Sequence, residues 1–316
     1  MHLALSSKPS SPIAIQVRLQ SVWFIPTCWA QLIGCALAVF ALANSSSAAL
    51  AAAAGDPERG EYVARLGGCL GCHTEDKKGA IPFAGGRALK TTFGTFFGPN
   101  ITPHPQAGIG RWTEADFMRT MRHGTRPDGA NFLPVFPYPS FTNITDNDLR
   151  DLWAYLRTLP QSSQANRRHE PWLIFGWRPL VTVWKWFFFT PGPLLNVQGV
   201  SEPVNRGAYL VQALGHCGEC HTPRNFLGGP IRSRLLAGGK GPQDKRTPNL
   251  TPTRLKHWSD EELKRFLLTG VTPDDEEANE LMDEVIRNTT SQLTPADLAA
   301  MIAYLRSLPP LADAPR

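Results

Sequence analysis

The chain has 316 residues, 42% hydrophobic and 19% charged, a balance that excludes disorder as its main state and suits two or three globular domains. Lys+Arg 32 against Asp+Glu 27 gives +5, too weak and too dispersed for a nucleic-acid surface. The 28 prolines and 27 glycines predict abundant irregular loops, and the lack of repeated apolar runs excludes a multi-helix transporter.

Residues 1–54 contain no acidic side chain and two strong bases, Lys8 and Arg18. An apolar run follows from Val22 to Ala43, then a small-residue tract from Ser45 to Ala54. Basic flank, apolar middle and small-residue exit form the layout of a secretory signal peptide, with Ala-x-Ala cleavage sites ending near Ala54. An uncleaved N-terminal anchor is the competing reading, because the apolar run could cross a bilayer; Pro26, Thr27 and Gln31 weaken it. Leu32-Ile33-Gly34-Cys35 also resembles a lipobox, although the apolar run continues past Cys35. Cleavage at 54 would leave 262 residues with 30 basic and 27 acidic side chains, and four cysteines.

Those four stand in Cys69-Leu70-Gly71-Cys72-His73 and Cys217-Gly218-Glu219-Cys220-His221. Each is C-x-x-C-H, the attachment sequence of c-type haem. Two thiols about one helical turn apart can add to the two vinyl groups of one porphyrin, and the adjacent histidine then stands under the iron. The spacing therefore predicts two haem c groups, with Cys69, Cys72, Cys217 and Cys220 as thioether anchors and His73 and His221 as proximal ligands. Structural disulfides or a zinc cluster are the bland alternatives; a bridge between thiols two residues apart would be strained.

The rest of the chain is a tandem duplication. Arg59-Gly60-Glu61-Tyr62 starts ten residues before Cys69, and Arg206-Gly207-Ala208-Tyr209 eleven before Cys217. Pro99-Asn100-Ile101-Thr102 returns as Pro248-Asn249-Leu250-Thr251, and Ala154-Tyr155-Leu156-Arg157 as Ala303-Tyr304-Leu305-Arg306. Domains are expected over 55–160 and 201–316, joined by an aromatic connector over 161–200. Thr113 with Asp116, Thr145 with Asp148, Ser259 with Glu262 and Thr294 with Asp297 read as capping boxes that open helices. The final helices carry Leu149, Leu152, Trp153 and Leu156, then Leu298, Met301, Ile302 and Leu305, one buried face each. Pro160 and Pro309 end them. No convincing alternating run predicts a strand, so the expected fold is all-α, two domains each wrapped around one haem.

Each copy resembles a class I cytochrome c domain: Arg-Gly-x-Tyr helix, C-x-x-C-H, loops, then a final helix ending Ala-Tyr-Leu-Arg-x-Leu-Pro. The first, from Pro99 through Trp112 to Pro139, is similar to cytochrome c subunits of bacterial membrane-bound alcohol dehydrogenases, and the second, around Gly215–Asn225, to their diheme relatives. The resemblance implies single-electron transfer in the periplasm, on the outer face of the inner membrane. It implies a dehydrogenase or quinol-linked donor and a downstream cytochrome or oxidase of a respiratory chain as partners. It also implies a methionine as the distal iron ligand. Met282, 61 residues after His221, is the expected ligand in the second copy, a packing methionine being the alternative. The first copy departs: related sequences read Pro-x-Met-Pro-Tyr, whereas this chain has Pro134-Val135-Phe136-Pro137-Tyr138. Phenylalanine cannot ligate iron, so haem 1 either takes another residue, His123 or His104, with Met118 and Met121 also near, or stays five-coordinate. An open iron keeps a competing class alive, a haem enzyme of the diheme peroxidase or thiosulfate-oxidising type.

The connector contains Trp172, Trp177, Trp184, Trp186, Phe175 and Phe187-Phe188-Phe189. With Arg178, Pro179 and Lys185 inside, it is a poor bilayer span. It reads either as packing between the domains or, over 172–189, as a patch against a membrane or partner. Arg87, Arg111 and Arg224 have no role assigned beyond pairing with haem propionates.

Overall fold

A computed structural model describes residues 54–172, 177–241 and 245–314; the leader with Cys28 and Cys35, and Phe175 of the connector, lie outside the described residues. The first copy opens with α1 (Pro57–Leu66), whose N-terminus is capped by the Asp56 carboxylate accepting from the Glu58 and Arg59 N–H groups. α2 (Cys69–His73) is the attachment motif, followed by a hairpin of β1 (Ala88–Thr91) and β2 (Gly94–Phe97). Then come α3 (Glu114–His123), the single turn α4 (Tyr138–Phe141) and α5 (Asp146–Thr158). The connector adds β3 (Glu170–Pro171) to the edge of β2 and forms α6 (Arg178–Phe188).

In the second copy, α7 (Glu202–Tyr209) and α8 (Gly218–His221) repeat the opening, and β4 (Gly239–Lys240) pairs with β5 (Arg246–Thr247). α9 (Pro252–Leu255), α10 (Asp260–Thr269), α11 (Glu280–Asn288) and α12 (Pro295–Ser307) complete it. The tandem is mostly helical, as the sequence predicts. The small sheets are the exception, made of two- and four-residue strands too short to show an alternating pattern.

Each copy's first helix crosses its last where glycine allows the backbones to touch. A β-carbon on Gly60 would stand 1.9 Å from the Asp151 carbonyl oxygen, and one on Gly207 2.0 Å from that of Ala300. The predicted faces of the last helices are buried: Leu149, Leu152 and Leu156 in α5, with Trp153 half-exposed, and Leu298, Met301, Ile302 and Leu305 in α12. Residues of both copies belong to one hydrophobic cluster.

Two local departures, one from the repeat and one from the predicted caps, have physical causes. The second copy carries one residue more between Tyr and Cys, and the helix absorbs it as a π-helical turn over Leu210–Leu214. The Gly215 N–H reaches the Leu210 carbonyl, five residues back, where the Gly67 N–H in the first copy reaches Val63, four back. The second departure concerns the caps. Thr113 and Ser259 form full capping boxes, as predicted. Thr145 and Thr294 make only half of one: each hydroxyl accepts the N–H of Asp148 or Asp297, but neither carboxylate returns to the Thr N–H. A tyrosine of the other copy completes the exchange. Tyr209 Oη accepts the Thr145 N–H (3.2 Å) and donates to Asp148; Tyr62 Oη accepts the Thr294 N–H (3.1 Å) and donates to Asp297 (2.8 Å).

Candidate functional site

The four cysteines Cys69, Cys72, Cys217 and Cys220 are unpaired and half-buried. Burial pushes the Cys69 and Cys217 thiols up to about 12, in each case with its partner cysteine adding to the rise. Burial likewise takes Cys72 and Cys220 up to about 11. Among the described residues no group of three or more Cys, His, Asp or Glu side chains is placed to hold a metal ion.

Each following histidine is oriented by the repeated Pro-Asn-x-Thr loop. His73 Nδ1 lies 2.7 Å from the Pro99 carbonyl oxygen, and His221 Nδ1 2.7 Å from that of Pro248. A carbonyl accepts only, so Nδ1 carries the proton and Nε2 keeps a free lone pair. Burial lowers both imidazole pKa values, opposed by that same bond, so both rings are neutral at physiological pH. The asparagine that follows folds the loop: Asn100 Oδ1 accepts from the N–H and hydroxyl of Thr102, and Asn249 Oδ1 from the Thr251 N–H. Neutral imidazole with a fixed tautomer beside two free thiols is a donor set that fits covalently attached haem c, twice over.

The two attachment motifs are neighbours, and each meets the segment that follows Phe136 or Met282 in the other copy. Phe141 of α4 stacks on His216, the residue before Cys217, with ring centroids 5.3 Å apart and planes 16° from parallel. Ser140 Oγ donates to Glu219 Oε1 at 2.6 Å. In the opposite sense, Glu284 of α11 pairs with Arg87 at 2.7 Å, and a β-carbon on Gly71 would lie 3.2 Å from Glu284 Oε1. Cys72 is close enough to Cys220 to add to the rise of its thiol.

His216 was missed by motif reasoning. It adopts the left-handed conformation (φ 40°), at the position where the first copy has Gly68 (φ 62°). A non-glycine residue pays of order 1–2 kcal/mol for that backbone, and here the ring stacks on the other copy. The detectable signal was the glycine-to-histidine change at matched positions, together with the one-residue difference in spacing.

The other named residues are placed as follows. Met282 is half-buried in the first turn of α11, its N–H donated to the Asn279 side chain. Phe136 lies among aromatics, 5.4 Å from Phe132 and 5.8 Å from Phe141 between ring centroids. His123 is exposed at the end of α3, with its carbonyl taken by Lys185. His104 accepts the Gln106 and Ala107 N–H groups at Nδ1. Met118 is half-buried and Met121 is in the core. Arg87 is engaged by Glu284 and Arg224 by Glu219, while Arg111 is exposed. The connector bridges the copies: Lys185 reaches His123 and Gly124, and Trp184 donates to the Leu227 carbonyl (3.1 Å).

The family model for cytochrome c matches residues 57–160 and 204–309. A protein described as "Diheme cytochrome c-type" from Cereibacter sphaeroides is 44% identical over 260 residues, 81% of this chain and 86% of the relative. The fructose dehydrogenase cytochrome subunit of Gluconobacter japonicus is 38% identical over 81% of this chain and 53% of its own length. The cytochrome c subunit of alcohol dehydrogenase (quinone) from Gluconobacter oxydans is 37% identical over 80% and 54% respectively. The chain thus spans about half the length of these two dehydrogenase subunits.

Proposed function

We propose that this chain, which belongs to the cytochrome c family and is an electron-transfer cytochrome carrying two haem c groups, accepts single electrons from a periplasmic dehydrogenase or a quinol-linked donor and passes them to a downstream cytochrome or oxidase. Bound haem supplies the one-electron iron couple. The protein's part is to hold the groups and set their surroundings. Cys69 and Cys72 anchor haem 1, Cys217 and Cys220 anchor haem 2, and His73 and His221 offer Nε2 to the irons. Met282 is the distal ligand of haem 2. The observation that carries this reading is the matched pair of histidine–proline bonds, each 2.7 Å, which fix both imidazoles in the ligating tautomer. The periplasm is inferred from the basic-apolar-small leader.

The test is stopped-flow reduction of the purified diheme protein, once with a sugar- or alcohol-oxidising dehydrogenase and its substrate and once with a reduced quinone analogue. Reduction of both haems by either donor, followed by reoxidation with an oxidised cytochrome or oxidase, is the expected result. Failure with both donors overturns the reading.

For haem 1 the proposed sixth ligand is His123 or His104, because Phe136 offers no donor atom. His104 could bind only through Nε2, its Nδ1 being occupied by two N–H groups. Low-temperature EPR of His104→Ala and His123→Ala should show a low-spin signal turned high-spin in one of the two variants. If haem 1 is high-spin in the unaltered protein, both assignments fail. The second reading, an open iron with peroxide chemistry, then gains ground, and it requires turnover of hydrogen peroxide with a reduced donor.

A further inference from the structure

We propose that the outer face of α6, with the Phe226–Leu227 turn beside it, seats the protein on the surface of an anionic lipid bilayer. The connector helix is amphipathic in the wrong sense for a soluble surface helix. Its inner face is Val181, Trp184, Lys185 and Phe188, so its only lysine is turned into the protein, hydrogen-bonded to the His123 and Gly124 carbonyls and the Asn131 side chain. Its outer face is Leu180, Val183, Trp186 and Phe187, at the i, i+3, i+6, i+7 positions of one stripe. Trp186 is 80% exposed and Phe187 73%. Thr182, the one hydroxyl on the helix, is engaged by the Asn131 amide at 2.8 Å.

The patch extends beyond the helix. Phe226 is 91% exposed at the tip of a turn fixed by the Trp184 indole on Leu227 and by Arg224 on the Gly228 carbonyl. Trp172 and Trp177, just before the helix, are also exposed.

Two features select lipid over a protein partner. A protein interface carries about one hydrogen bond per 100–200 Å². This face offers almost no polar side-chain group apart from indole N–H donors, which suit the boundary between acyl chains and headgroups. The charged groups at the helix are mainly basic: Arg178 begins it, with Arg126 and Asp128 close by, Arg232 binds the Phe188 carbonyl at its end, and Arg167 and Arg168 are exposed in the preceding segment. Over residues 161–200, setting aside the inward-turned Lys185, there are three basic side chains and one acidic, Glu170. Cations flanking an exposed aromatic stripe are the composition that holds a helix in the plane of an anionic interface. The helix has 11 residues, about 16 Å, half the bilayer core, so it lies on the membrane and does not cross it.

The experiment uses the full-length exported holo-protein, floated with vesicles of phosphatidylglycerol and phosphatidylethanolamine, or of phosphatidylcholine alone. The double variant Trp186→Ser/Phe187→Ser and the single variant Phe226→Ser are compared after their haem absorption and thermal midpoints have been matched to the parent. The expected result is flotation with the anionic vesicles, weak flotation with the neutral ones, and a partition about tenfold lower for the double variant. The single variant should fall in between. The proposal is overturned if the parent does not float, or if the double variant floats equally well, which would place the membrane contact away from the outer face of α6. It is also overturned if the parent stays off vesicles and sediments as a dimer that the double variant loses, since a second copy would then cover the face.

Discussion

At the scale of single residues, Tyr62 and Tyr209 do more than the helix motif that contains them suggests. Each serves at once as acceptor for a cap N–H and donor to the neighbouring carboxylate in the other copy. Tyr209→Phe removes both bonds from a buried ring, and a stability loss of about 1–3 kcal/mol is expected, read by denaturant titration of the holo-protein. Tyr62→Phe should cost less, because Tyr62 is only half-buried. Asp297 gives this bracket a pH dependence. Burial works to raise its pKa, but hydrogen bonds from Arg206 and Tyr62 outweigh burial and hold it below the ordinary 3.8. A carboxyl whose folded pKa is depressed stabilises above its unfolded pKa, and that contribution is lost as pH falls through the folded value. Thermal midpoints taken from about pH 5 down to pH 2 should therefore fall more steeply for the parent than for Asp297→Asn. Equal slopes would show that Asp297 is not linked to unfolding.

At the scale of elements, the helix crossings at Gly60 and Gly207 leave no room for a β-carbon. A methyl group at either would also meet a tyrosine β-carbon, 2.8 Å away on Tyr155 or 2.6 Å on Tyr304. Gly60→Ala and Gly207→Ala should each cost about 3 kcal/mol, because the helices must separate to admit the group. Calorimetry of either variant with an unchanged midpoint would show that the crossing can relax. Much at this scale was legible beforehand. The attachment motifs, the repeat and the buried faces of α5 and α12 are local patterns, written in spacing. The open caps at Thr145 and Thr294 were not, since a Thr-x-x-Asp reads as a complete box whether or not its carboxylate is claimed from outside. The π-helical turn left a visible trace, ten residues against eleven before the cysteine, but spacing alone does not say where the extra residue goes.

At the scale of the whole molecule, sequence reasoning divides the chain into two domains and a connector, and the packing joins them. One hydrophobic cluster includes Val63 and Leu152 of the first copy with Leu214 and Leu298 of the second. Calorimetry of the holo-protein should thus give a single cooperative transition, with calorimetric and van't Hoff enthalpies equal. Two resolved peaks would mean that the copies unfold separately. The relative placement of two repeats is set by surfaces that no local pattern records, which is why the neighbouring haem motifs could not be read in advance. The paired tyrosine brackets carry a further consequence. Position for position, tyrosine of one copy to carboxylate of the other and the reverse, they are the contacts of an isologous two-fold dimer. Here both protomers lie on one polypeptide, so assembly is unimolecular: dilution cannot part the two redox centres, and each has one fixed neighbour. The tether also frees the halves to diverge. A substitution such as histidine at 216 or phenylalanine at 136 alters one centre only, which a symmetric dimer of identical chains could never do.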